Sequence, residues 1–179
     1  MNNPILEQID LPVFDQIKAE HIYPAISVII NENKTKIKEM ESYDISEIDY
    51  KFVDELSLLD YKLSNAWSQI GHLNSVMNSD LYRGEYNKCR ELITEYYSNL
   101  SQNTKIFNLY KELKKSAIFE SLDAIQQKII NDEIKDFKLG GVDLDEDKKT
   151  VFKELRSKLA KLASKFEENV LDETNNYTL

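Results

Sequence analysis

The side chains that could do chemistry are few and scattered. The chain has two histidines, His21 and His72, and one cysteine, Cys89. A zinc site needs several His, Cys or carboxylate ligands converging on one point, and the helical HExxH pattern supplies two at four-residue spacing. Neither histidine is followed by Glu, and neither has a second His four residues on. His72 lies beside an apolar seam and reads as a hydrogen-bonded structural histidine. Cys89 with two distant histidines does not make a nucleophile with its base, so a small core residue is its expected role. The run Asp143-x-Asp145-x-Asp147, with Glu154 eleven residues after Asp143, has the outline of a calcium loop. Such a loop needs glycine at its sixth position, where Lys148 stands, followed by Lys149. Acidic capping of a helix explains the same residues. Gly140-Gly141 reads as a helix stop and not as a phosphate loop. No catalytic or metal-ligating residue is therefore assigned, and no side chain is assigned to substrate.

The elements that would position any site are helices. Four glycines and three prolines in 179 residues leave few breakers. An apolar share of 41% and a charged share of 31% suit a globular domain. The net charge of −9 argues against nucleic acid, whose phosphates call for a basic surface, and against anionic membrane. A tyrosine-rich face from Tyr86 to Tyr110 could stack bases, but without interleaved cations it reads as core and rim packing. One cysteine permits no internal disulfide and fits a reducing compartment. The start MNNPILEQIDLPVF has no basic region and no long apolar run, so no signal peptide is expected. No apolar stretch approaches the roughly 20 residues of a membrane helix, and the cytoplasm is the expected location.

Taken in order, residues 1–18 form an irregular arm whose Leu11, Val13, Phe14 and Ile17 should lie on a core. A helix from about Ala19 to Glu41 carries Ile22, Ile26, Ile29, Ile37 and Met40 on one face. Pro24 fits only the first turn of a helix, which places a firm start near His21 or Ile22. The polar run Asn31 to Lys38 should be solvated. Ser46 reads as an N-cap with Asp49 completing an acidic capping box, and Ile45 and Tyr50 as its hydrophobic staple. The helix that follows has the best pattern in the chain: Phe52, Leu56, Leu59, Leu63, Ala66, Ile70, Leu73 and Met77 alternate at four and three. That period of 3.5 suits close antiparallel packing. Its length from Ser46, at 1.5 Å per residue, is on the order of 45 Å. The same pattern would also serve a coiled-coil dimer.

Asn78-Ser79-Asp80 reads as a turn and cap. The next face is Leu81, Tyr86, Cys89, Ile93, Tyr96, Tyr97 and Leu100, continued by Ile106, Phe107, Tyr110 and Leu113 after an irregularity at 99–103. Ser121 is the next cap, before Leu122, Ile125, Ile129, Ile130, Ile134 and Phe137. Asp145 then caps a last helix with a buried stripe of Val151, Phe152, Leu155, Leu159, Leu162, Phe166 and Val170, fading after Leu171. The fold class is all-α: a bundle of about five to six long antiparallel-packed helices in one domain, 1–179.

Three stretches carry a resemblance: LPVFDQIKAEHIYPAI (Leu11 to Ile26), LDYKLSNAWSQIGHLNSVMNSDLYRGEY (Leu59 to Tyr86) and IINDEIKDFKLGGVDLDEDKKTVFKELRSKLAKLASKFEENVLDET (Ile129 to Thr174). In order and spacing they resemble the N-terminal region of the zinc-dependent oligopeptidases of the oligopeptidase A and thimet oligopeptidase kind, the M3 family. The resemblance implies a large, almost wholly helical metallopeptidase whose two domains flank a narrow channel that admits short peptides. It also implies zinc held by an HExxH helix and a downstream Glu, with the motif's Glu activating water. None of those residues has a counterpart here. The chain is thus expected to be a fragment of such an enzyme, or a gene product cut short, without its catalytic zinc domain. It would help wall the channel, hold no zinc, and be inactive alone. Its partner would be the rest of its own polypeptide, and apolar surface meant for that partner should promote dimerisation. A stand-alone helical module that binds a partner through an apolar groove is the alternative.

Overall fold

The computed structural model describes residues 3–7, 11–77 and 79–177. Among them are seven α-helices and no strand, so the all-α bundle stands with one helix more than the upper expectation.

The arm before the bundle is pinned by Ile5 and Ile17, both buried, while Leu11 and Phe14 are exposed. A single 3-10 turn spans Phe14–Gln16. Helix α1, Ala19–Met40, contains Pro24 as its sixth residue, so it begins earlier than the proline suggested. The ring costs one backbone bond, and the Glu20 carbonyl left over lies in an exposed first turn where water can serve it. The five apolar positions expected on one face are all buried. Asn33, expected in solvent, is buried too. Its amide donates to the Leu59 carbonyl at 3.1 Å and to the Tyr96 hydroxyl at 3.4 Å, tying α1 to its two neighbours.

The cap before α2 lies elsewhere than expected. Asp44, not Ser46, caps a 3-10 turn over Ile45–Glu47, accepting from the Ser46 N–H at 2.9 Å and from the Ser46 hydroxyl at 2.8 Å. Asp49 accepts from the Lys51 N–H, and Ile45 is exposed, so no staple forms. Helix α2, Lys51–Val76, is about 39 Å long at 1.5 Å per residue. Its seam from Phe52 to Leu73 is buried, and only Met77, past the helix end, is exposed.

Ser79 caps α3, Asp80–Ser101, by accepting from the Tyr82 N–H; Asn78 of the expected turn lies outside the described residues. Leu81 is exposed and Tyr82 takes the buried place. Across α2 and α3, Asp60 meets Tyr97 and Trp67 meets Tyr86, the falling register of an antiparallel pair. Asn103 caps α4, Thr104–Lys115, whose Ile106, Phe107, Leu109, Tyr110 and Leu113 are buried. A short α5, Ala117–Ser121, ends at the serine expected to cap the next helix. Asp123 does so instead, in a reciprocal box with Gln126. That box opens α6, Ala124–Leu139, whose Ile130, Ile134 and Phe137 are buried and whose Ile125 is exposed. Gly141 provides the left-handed stop at φ +89°, and the Val142 N–H returns to the Phe137 carbonyl at 3.1 Å.

Helix α7, Glu146–Asn176, runs on past Leu171 and stops at the extended Tyr177. Its expected buried stripe is the largest correction. Val151, Leu155, Leu159, Leu162, Phe166 and Val170 are all exposed and only Phe152 is half-buried. No residue of α7 belongs to the apolar core of the described chain or to the half-buried apolar residues packed on it. That core lies between α1, α2, α3, α4 and α6. Each Leu or Ile fully buried there contributes roughly 1.5–3 kcal/mol of transfer free energy.

Candidate functional site

Polar contacts hold α7. Arg83 grips the Asp172 carboxylate with both guanidinium nitrogens, at 2.6 and 3.1 Å. The Asn87 amide donates to Glu168 at 2.7 Å, and its carbonyl oxygen accepts from the Ser164 hydroxyl at 3.2 Å. Arg90 donates to the Ala160 carbonyl at 2.6 Å, Lys161 pairs with Glu91 at 3.1 Å, and Lys153 donates to Asn99 at 2.9 Å. As the α3 number rises the α7 number falls, so the two helices are antiparallel. Arg83 beside Asp172 holds that carboxyl below its ordinary range.

Because α7 is held at arm's length by polar side chains, a cleft of about 720 Å³ opens along it. Its walls come from α2, α3, α4, α6 and α7, with Leu56, Ile93, Leu100, Phe137 and Leu159 among its apolar lining. Asp60, Glu133 and Asp136 line it as acids and Arg156 is the one cation among the lining residues. Tyr97 donates to Asp60 at 2.8 Å, and burial, then this bond, raises its pKa. Burial, followed by the charges of Asp136, Asp60 and Asp132, raises that of Glu133. The cleft can hold an extended or helical apolar segment and favours a cationic group over an anionic one. Its volume falls within the range of ligand-sized pockets.

The residues weighed for chemistry do not meet in this cleft. The His21 ring nitrogen Nδ1 accepts from the Lys18 N–H at 3.1 Å, closing the first turn of α1. His72 is exposed, with its ring 5.0 Å from that of Phe14; it packs against a ring and is not the hydrogen-bonded residue expected. Cys89 is fully buried, and burial pushes its thiol up to about 12, the behaviour of a core residue. Among the described residues no three His, Cys, Asp or Glu side chains are gathered as a metal ion would need. The calcium-loop outline fails on backbone: from Glu146 it is helix, and Asp145, at the N-cap position, pairs with Lys148 at 3.1 Å. The tyrosines do pack as core and rim. Tyr86 stacks on Trp67 at 4.5 Å, and Tyr110 meets Phe52 edge-on at 4.9 Å. No described helix is long and apolar enough to cross a membrane.

The cleft and the exposed stripe escaped sequence reasoning. The one signal for them was the spacing of Arg83, Asn87 and Arg90, stepping four and three on one helix, against Ser164, Glu168 and Asp172, stepping four on the other.

Comparison with known proteins gives the geometry a context. Residues 26–149 match the family model for the neurolysin/thimet oligopeptidase N-terminal domain. The chain is 37% identical over 174 residues to oligopeptidase A of Haemophilus influenzae, which covers 97% of this chain and 25% of that protein. It is 28% identical over 178 residues to oligopeptidase A of Escherichia coli, covering 99% and 26%. A probable cytosolic oligopeptidase A of Arabidopsis thaliana is 29% identical over 176 residues, covering 98% and 25%. The chain spans about a quarter of the length of the curated relatives it matches.

Proposed function

This chain belongs to the neurolysin/thimet oligopeptidase family, and on that premise we propose that it is the N-terminal helical part of a zinc metallo-oligopeptidase that hydrolyses short peptides. Its task is to wall the substrate channel and limit what enters; the zinc chemistry belongs to polypeptide beyond it. The observation that carries this is the N-terminal-domain match over residues 26–149, together with relatives about four times as long.

The residues present do not fit a zinc ion. His21 is engaged in its helix turn, His72 packs on Phe14, and the Cys89 thiol is buried and protonated. What this chain supplies is shape: a rigid core of five helices and an acid-lined cleft along α7. The setting is a cytosolic one, as in the relative so named.

The test is a chimera in which this chain replaces the aligned quarter of the Haemophilus influenzae oligopeptidase A. The chimera should cleave short unstructured peptides, spare the same sequence inside a folded protein, and stop with chelator. The chain alone should cleave nothing and retain no stoichiometric zinc. Chelator-sensitive turnover by the chain alone, or loss of the size limit in the chimera, would overturn the reading. The open apolar cleft also suits a stand-alone module that binds an amphipathic helix; tight binding of such a helix by the chain, with a chimera that cleaves nothing, favours that reading.

A further inference from the structure

We infer that the apolar stripe of α7 is the surface on which the remainder of an oligopeptidase polypeptide docks, so that α7 is a two-faced joint: clamped to α3 on one side, part of the next unit's core on the other. This rests on the reading above and names the surface through which that partner is met.

Four observations lead to it. The first is the division of the helix. At about 100° per residue, Ala160, Ser164, Glu168 and Asp172 fall on the side that faces α3. Val151, Leu155, Leu159, Leu162, Phe166 and Val170 fall on the remaining face, with Leu159 at the edge of the cleft and Phe166 and Val170 beside a second hollow against α2 and α3. A helix that is polar toward its own domain and apolar toward water inverts the usual arrangement. The second is exposure. The six stripe residues are between 50% and 70% exposed, and a contiguous apolar band of that kind marks an interaction surface.

The third observation concerns where similarity divides. The N-terminal-domain match stops at residue 149, within the first turn of α7. Every stripe residue lies beyond it. The alignments with whole oligopeptidases nevertheless run over 97–99% of this chain. So α7 beyond residue 149 lies outside the matched stretch and yet is shared with those proteins. The fourth is supply. Each relative carries about three quarters of its length outside the aligned region. That is ample polypeptide to provide a helical face against a stripe stepped four, four, three, four, four, the spacing of near-parallel or antiparallel helix packing. A second copy of this chain is the weaker occupant, because each copy carries a net charge of −9, which opposes pairing like with like.

The test uses the 179-residue chain and, as probe, the part of Haemophilus influenzae oligopeptidase A outside its aligned 174 residues. Binding is followed by sedimentation. The wild-type chain should bind the probe, and L159D/F166D should bind on the order of tenfold or more weakly. Both replaced side chains are exposed, so the variant should keep its helical circular dichroism. Leu58→Asp, an exposed residue of α2, should bind as wild type does. Equal binding by wild type and L159D/F166D overturns the inference, as does absence of binding. So does a wild-type dimer that the stripe variant abolishes and the probe does not displace. A complex that forms through the stripe but cleaves no peptide keeps the docking surface and counts against the channel reading alone.

Discussion

Replacing Asn87 with alanine tests whether α7 is held by polar contacts, as the geometry requires. The Asn87 amide donates to Glu168 at 2.7 Å and its oxygen accepts from Ser164 at 3.2 Å. Ser164 is buried, so its hydroxyl would lose its partner across the interface. Two such bonds at about 1 kcal/mol each come to about 2 kcal/mol. At about 1.4 kcal/mol per factor of ten, the detached population of the second half of α7 should rise roughly thirtyfold. No part of that cost should fall on the core, because no α7 residue belongs to it. Native-state hydrogen exchange reads both statements at once. Amides from 160 to 172 should exchange roughly thirtyfold faster in Asn87→Ala, while those from 26 to 37 in α1 keep their wild-type protection. Added salt should speed exchange in α7 in both proteins by partly screening the half-buried Arg83–Asp172 pair. Unchanged protection in α7 would show that α3 does not hold it. An equal acceleration in α1 would show that α7 opens only when the whole chain does, and the picture of a joint would fall.

Three further outcomes are expected. Asn33→Ala removes the buried amide that joins α1 to the Leu59 carbonyl and the Tyr96 hydroxyl; it should lower stability by about 1–2 kcal/mol in a urea titration, and no change would mean these bonds carry no net weight. Burial raises the Glu133 pKa above its ordinary 4.5, so the folded chain binds this proton more tightly than the unfolded chain. Its contribution is therefore full below pH 4.5 and lost as pH rises through the folded value. Glu133→Gln should be more stable than wild type at pH 7, with the gap closing below pH 4.5; a gap that does not change with pH refutes the cause. Cys89, with its thiol pushed up to about 12 by burial, should resist alkylation at pH 8 in the native chain and react at once in denaturant, and fast native labelling would contradict its place in the core.

The sequence was most legible where one face of a helix meets the core. The seam from Phe52 to Leu73 and the isoleucines of α1 could be read directly because burial selects a period and the core then uses that face. Caps were less legible. Asp44, Ser46 and Asp49 are all good cap residues, and Ser121 and Asp123 compete within three positions. Choosing among them depends on where the preceding turn places the backbone, which side-chain type does not encode. Asn33 was hidden for a different reason: a polar residue inside a polar run gives no sign that two partners wait across the interface.

The stripe of α7 was legible as apolar and illegible in its destination. Periodicity says that a face is to be buried; it does not say by what. In α2 the partner is in the same chain and the residues are covered. In α7 the same pattern faces water, while the side toward α3 is built from Arg83, Asn87 and Arg90 reaching side-chain and backbone oxygens. Intra-chain interfaces between domains are more polar than cores, and the α3–α7 contact has that character, whereas the stripe has the character of a core cut open. A boundary in packing near Gly140–Asp145 follows from that contrast: up to it the helices bury their apolar faces on one another, and beyond it the apolar stripe of α7 stays exposed. The end of the N-terminal-domain match at residue 149 falls beside the same boundary, reached from sequence similarity and not from packing.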